Sequence, residues 1–149
     1  MEIRVWRRYI FCWLACLLPP SAQAEALNEN KPFAEKHVLL QVSSRDQYAS
    51  ALNIASNLQK HYGPDVIDIQ VVTFAAGIEL LRADENPLKP RVESLQASGV
   101  RFFVCQNTID TLKQQRDVEF RPLVDTERVR TGVAYIMEEV ERGYTLVAP

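Results

Sequence analysis

Apolar and polar positions along this chain switch between two periods, and the switches mark the elements. Residues 37–42, HVLLQV, form a continuous apolar run of strand length, followed by Ser43-Ser44-Arg45-Asp46, rich in helix-capping residues. A helix is expected next, because Tyr48, Ala51, Leu52, Ala55 and Leu58 recur at the 3.6-residue spacing and Gly63-Pro64 closes the run. Residues 66–74, VIDIQVVTF, are rich in β-branched side chains with partial alternation and read as a second strand. Ala75-Ala76-Gly77 opens a short apolar segment at 78–81, worth one or two helical turns before the polar break at 83–87. The pattern then predicts a helix over 89–97 with Val92 and Leu95 inward and Gly99 as its stop, and a strand over 100–104. A helix capped by Asn107 follows, with a surface connection over 113–119, an edge-like strand over 120–124, a helix over 129–142 and a last strand over 144–147.

Strands alternating with helices through short loops imply right-handed crossovers and a mostly parallel sheet covered on both faces. The expected class is α/β, a three-layer α/β/α sandwich of flavodoxin-like or Rossmann-like size. No internal repeat or low-complexity segment interrupts it.

The amino terminus does not belong to this pattern. Arg4, Arg7 and Arg8 precede an apolar run at 9–18, too short to span a bilayer, and Ala22-Gln23-Ala24 supplies the small residues that a signal peptidase reads. Residues 1–24 are therefore expected to be a cleaved secretory signal, 25–36 a flexible mature N-terminus and 37–149 the folded domain, located in the periplasm. Three of the 17 basic and one of the 19 acidic residues lie in the signal, which leaves 14 and 18 and a net charge of −4. Such mild acidity argues against a nucleic-acid partner or an anionic membrane surface.

Cleavage also changes the cysteine count. Cys12 and Cys16 leave with the signal and Cys105 stands alone, so no internal disulfide is expected. Cys105 stands at the carboxyl end of the strand over 100–104, after Phe102-Phe103-Val104, and precedes Gln106-Asn107-Thr108 at a helix start. Helix N-terminal amides favour a thiolate there, whereas burial would make the same residue a small inert hydrophobe; the residues leave both open. At the carboxyl edge of such a sheet, where ligands collect, Cys105 meets the loops around Ser43, Ser44 and Arg45 and around Gly77. Ser44 and Arg45 could hold an anion or simply cap a helix. No GxGxxG or GxxxxGK[ST] fingerprint is present, and His37, His61 and one thiol offer no metal-ligand spacing, so neither cofactor nor metal is expected. Tyr135, Ile136 and Val140 share one side of the last helix and suit either core or a subunit contact.

The stretches HVLLQVSSRD, ALNIASNLQKHYG, DIQVVTFAAGIELL, ASGVRFFVCQNTI and TGVAYIMEEVERGYTLVAP together resemble the DsrE/DsrF-like family associated with sulfur relay, specifically its small exported members. The resemblance runs from about residue 37 to residue 149 and is most specific at Cys105-Gln106-Asn107-Thr108 and at the closing helix and strand. It implies a compact DsrE-type domain that assembles into homotrimers or homohexamers. It also implies that Cys105 carries sulfur as a persulfide between a donor and an acceptor. Ser44, Arg45, Gly77, Asn107 and Thr108, on the loops of the same sheet edge, are the candidate binding residues. The second loop of such exported proteins often reads Gly-Pro-Gly, where this chain has Ala75-Ala76-Gly77. The alternative is an oligomeric binding module of the cell envelope with no chemistry at the cysteine.

Overall fold

The computed structural model describes residue 31 and residues 33–149 apart from 85 and 118; the signal read over 1–24, and most of the terminal segment after it, lie outside these residues. The described elements are strands β1 (Lys36–Val42), β2 (Ile67–Thr73), β3 (Arg101–Cys105), β4 (Thr126–Val129) and β5 (Thr145–Val147), with helices α1 (Tyr48–Tyr62), α2 (Lys89–Ala97), α3 (Gln106–Arg116) and α4 (Gly132–Glu141). Two 3-10 helices, Arg45–Gln47 and Ala75–Leu81, continue directly from the ends of β1 and β2. All strand pairs are parallel and the order across the sheet is β4-β3-β2-β1-β5. This is the expected α/β architecture.

The period-2 pattern decides which side chain faces which layer. Leu40, Val42, Ile67, Ile69, Val71, Phe102 and Val104 point to one face and pack with Ala51, Leu52 and Ala55 of α1, Val92 and Leu95 of α2 and Ile109 of α3. On the other face Leu39, Val72 and Phe103 pack against Ile136 of α4 and against Tyr144. Three helices thus cover the first face and one covers the second. The single helix leaves room on the second face for polar strand residues, among them the fully buried Asp68 and Gln70.

Several expectations are corrected. The helix after β3 begins at Gln106, with Cys105 itself in the extended capping conformation, so Asn107 is not its cap; it continues to Arg116 through the stretch read as a surface connection. Residues 120–124 form no strand: Phe120 and Leu123 plug the larger core, and only an isolated bridge joins Pro122 to Arg82. The edge strand is instead Thr126–Val129, within and just before the segment assigned to the last helix, which begins at Gly132. The described part of the segment read as a flexible N-terminus is tied down: Lys31 Nζ donates to Pro64 O at 2.8 Å and Ile67 O at 3.0 Å, and Glu35 N to Val66 O at 2.8 Å.

Candidate functional site

The chain winds from β1 to β4 with its connecting helices on the first face, then crosses the second face through α4 to place β5 beside β1. The connections leaving β3 and β4 therefore go to opposite faces, and a crevice between two such neighbours is where open α/β sheets bind ligands. Cys105 is the last residue of β3 and lies opposite Val129, the last residue of β4.

The amino ends of α3 and α4 meet at its sulfur. Gly132 N, in the first turn of α4, donates to Cys105 Sγ at 3.3 Å. From α3 the Thr108 hydroxyl and the backbone amides of Thr108 and Asn107 favour the thiolate electrostatically. Burial alone would push the thiol up, since the residue is only 4 % exposed. Together these donors outweigh burial and hold the Cys105 pKa below its ordinary value, because each favours the thiolate. The two helices are clamped here: Asn107 N donates to Arg130 O at 3.2 Å, and Asn107 Nδ2 to Thr131 Oγ1 at 2.9 Å. Thr108 Oγ1 also accepts from Ala75 N at 3.2 Å, which ties the thiol to the loop after β2.

The other sequence-predicted residues divide. Asn107 and Thr108 touch the thiol's surroundings directly. Ser44 does not: its N–H, at 3.1 Å, and that of Ser43, at 2.8 Å, are both taken by Gln47 Oε1, and the helical segment they open has three residues. Gly77 is buried, and a Cβ there would lie 2.0 Å from Val42 O, so its role is close packing of the second loop against β1. Arg45 stands exposed beside a cleft that Thr108 also lines. Sequence reasoning missed Gly132. Its signal was the Thr131-Gly132 pair opening the last helix, obscured by starting that helix too early.

Toward the amino edge of the same sheet face lies a second polar cluster, closed and built from side chains. Arg101 Nη2 donates to Asp68 Oδ2 at 2.8 Å and approaches Tyr144 Oη at 3.0 Å, while the Tyr144 hydroxyl also donates to Asp68. Tyr135 Oη donates to Gln70 Oε1 at 2.9 Å, and Gln70 Nε2 to Glu139 Oε2 at 2.8 Å. Burial first, and the nearby carboxylates next, push both tyrosines well above the usual phenol range. On α4, Val133, Met137 and Val140 are 51, 61 and 42 % exposed, an apolar stripe flanking the buried Ile136.

A model of the DsrE/DsrF-like family matches residues 36–149. Among solved structures, the protein of unknown function MTH1491 from Methanobacterium thermoautotrophicum superposes with a TM-score of 0.64 at 25 % identity, over 77 % of this chain and 100 % of its own. The ychN protein from E. coli superposes at 0.58 with 14 % identity, over 76 % of this chain and 99 % of its own, a likeness of fold alone. No curated protein matches. With the whole sheet, its four helices and the Cys105 crevice inside the matched range, the chain belongs to the DsrE/DsrF-like family.

Proposed function

We propose that this protein is an exported sulfur carrier, in which Cys105 accepts a sulfane sulfur, holds it as a persulfide and yields it to another thiol. The observation that carries the reading is the Gly132 N–H donated to Cys105 Sγ at 3.3 Å, beside the start of α3, whose amides and Thr108 hydroxyl lower the thiol's pKa. A thiolate is the attacking species in sulfur exchange, and donors that lower the Cys105 pKa raise its share. The location rests on Arg4, Arg7, Arg8, the apolar run at 9–18 and Ala22-Gln23-Ala24. Family membership is consistent with sulfur relay at the level of the family.

The test is to incubate the protein with a polysulfide or persulfide donor, block free thiols, digest with trypsin and weigh the fragment spanning residues 102–113. A fragment heavier by one sulfur is expected. A fragment of unchanged mass, with a thiol slow toward alkylating reagents, sinks the reading. Following the fragment keeps Cys12 and Cys16 out of the measurement.

A second reading, an oligomeric binding module, is favoured by the Val133, Met137 and Val140 stripe on α4. Self-association through this face into a trimer or hexamer is proposed under either reading. Light scattering on the protein and on Met137→Glu checks it: a closed assembly that the substitution dissociates is expected, and a wild-type monomer would discard the stripe as a subunit contact.

A further inference from the structure

A helix ordinarily ties down its first turn through the side chain of its capping residue, and threonine suits that position. Thr131 caps α4, extended at φ −135° and ψ 114°, yet its hydroxyl makes no hydrogen bond to its own helix. Thr131 Oγ1 instead accepts from Asn107 Nδ2 of α3 at 2.9 Å. One residue earlier, Arg130 O accepts from Asn107 N at 3.2 Å. Asn107 thus grips both residues that lead into Gly132, and it does so from the first turn of the helix that Cys105 caps.

These contacts close a ring around the sulfur. The backbone joins Cys105 to Asn107, two hydrogen bonds join Asn107 to Arg130 and Thr131, and Gly132 N–H returns to Cys105 Sγ at 3.3 Å. The first turns of helices fray, and α4 has only 10 residues. A donor on a fraying turn drifts from its acceptor, whereas a tether on the preceding residue confines it. The fit at Gly132 is already close, since a Cβ there would lie 3.3 Å from Phe74 and 3.4 Å from Cys105 Cβ.

We propose that Asn107 is a positioning residue for the Cys105 thiol, which through Thr131 holds the Gly132 N–H on the sulfur. Its part in sulfur transfer rests on the sulfur-carrier reading; the positioning itself does not. Charged groups on the surrounding elements are engaged or stand apart. Arg130 Nη1 lies 3.8 Å from Asp110 Oδ2, and Arg128 Nη1 donates to Gln106 Oε1 at 3.2 Å. Arg45 and Glu79 line a cleft beyond Thr108, and Glu138 a groove beside Thr131. All six keep their charge in the variants below, so a shift in the thiol's titration traces to the tether.

The test follows alkylation of the 102–113 fragment against pH in the wild type, Asn107→Ala, Thr131→Val, the double variant and Thr131→Ser. The midpoint of the rise reports how well the thiolate is stabilised, and the plateau reports access to the sulfur. Each of the first two variants is expected to move the midpoint to higher pH and to slow alkylation at pH 7 by about threefold; the double variant is expected to do no more, because both changes cut one contact. Thr131→Ser keeps the hydroxyl and is expected to retain the wild-type midpoint. Urea unfolding confirms that each variant is folded, and Thr131→Val, which keeps the branched shape, carries the test where Asn107→Ala is not. Unshifted midpoints overturn the proposal, as does a raised plateau at an unchanged midpoint, which would make Asn107 a barrier to access instead. A midpoint shifted equally by Thr131→Ser and Thr131→Val overturns the tether through the hydroxyl. Loading by polysulfide at pH 7 is expected to slow by the same factor as alkylation. Shifted midpoints with unslowed loading overturn the part in sulfur transfer. Shifted midpoints with no loading of the wild type overturn the sulfur-carrier reading and leave the positioning standing.

Discussion

One face of the sheet carries two polar centres, and they handle charge in opposite ways. At the amino edge, Asp68 is fully buried and matched by side chains, with the Arg101 guanidinium at 2.8 Å and the Tyr144 hydroxyl on the same oxygen. At the carboxyl edge, Cys105 has no cationic side chain as a hydrogen-bonding partner among the described residues; its sulfur accepts from Gly132 N–H, and the α3 amides and the Thr108 hydroxyl favour its thiolate. A buried ion pair is closed to further chemistry because its charges already satisfy each other, and disrupting it is expensive. Amides and helix ends supply only partial positive charge, so they favour an anion without consuming its nucleophilicity. The first centre therefore reads as structure and the second as reactivity.

The largest test of this contrast is Asp68→Ala. It leaves Arg101 half-buried and unpaired, and a loss of about 3 kcal/mol is expected in urea unfolding, with alkylation of Cys105 unchanged. Next, Tyr135→Phe strips Gln70 Oε1 of its donor and should cost about 1 kcal/mol in the same assay, again without moving the thiol. Gly132→Ala is the reverse case. Its Cβ would sit 3.3 Å from Phe74 and 3.4 Å from Cys105 Cβ, so the neighbours shift by tenths of an ångström. A stability loss under about 1 kcal/mol is expected, because alanine favours the helix, together with a measurable change in alkylation rate.

The smallest effect on folding and the most telling on reactivity comes from Thr108→Val. The thiolate is the form that alkylates, so the rate rises with pH through the Cys105 pKa and then levels off. Because hydrogen bonding lowers that pKa against burial, the wild-type rise comes at lower pH than for an ordinary thiol. Losing the Thr108 hydroxyl should move the rise to higher pH. A rise in the variant at unchanged or lower pH would remove Thr108 from the thiol's environment.

How much of this was legible in the residues depended on whether local pattern or distant packing decided the outcome. Lys89–Ala97 matches its expected span, since Pro87 before it and Gly99 after it leave one short amphipathic window with Val92 and Leu95 inward. The edge strand was hidden: Thr126-Glu127-Arg128-Val129 is charged and short, while the more strand-like Phe120 to Val124 stretch was apolar because Phe120 and Leu123 fill the core. Asn107 looked like a cap by residue preference, yet its side chain crosses to Thr131 on another helix, a contact 24 residues away that no local rule contains. Asp68 and Gln70 showed as polar positions in a half-alternating strand, but their partners Arg101, Tyr135 and Tyr144 are assembled only by the fold. Cys105 at a strand end was visible. The second helix end on its sulfur was not, because it depends on which face each connection takes.

The order in which the sheet is built has a consequence for the time course of folding. Strands β1 to β4 each pair with a sequence neighbour, whereas β5 must return to Val38, Leu39 and Leu40 from the far end of the chain. Such long-range parallel pairing carries the highest loop-closure entropy and tends to come late. Gly132 arrives with that closing segment, so a chain caught before it docks would lack one of the donors on its sulfur. The surroundings of a single thiol thus record whether the last stretch of polypeptide has found its place.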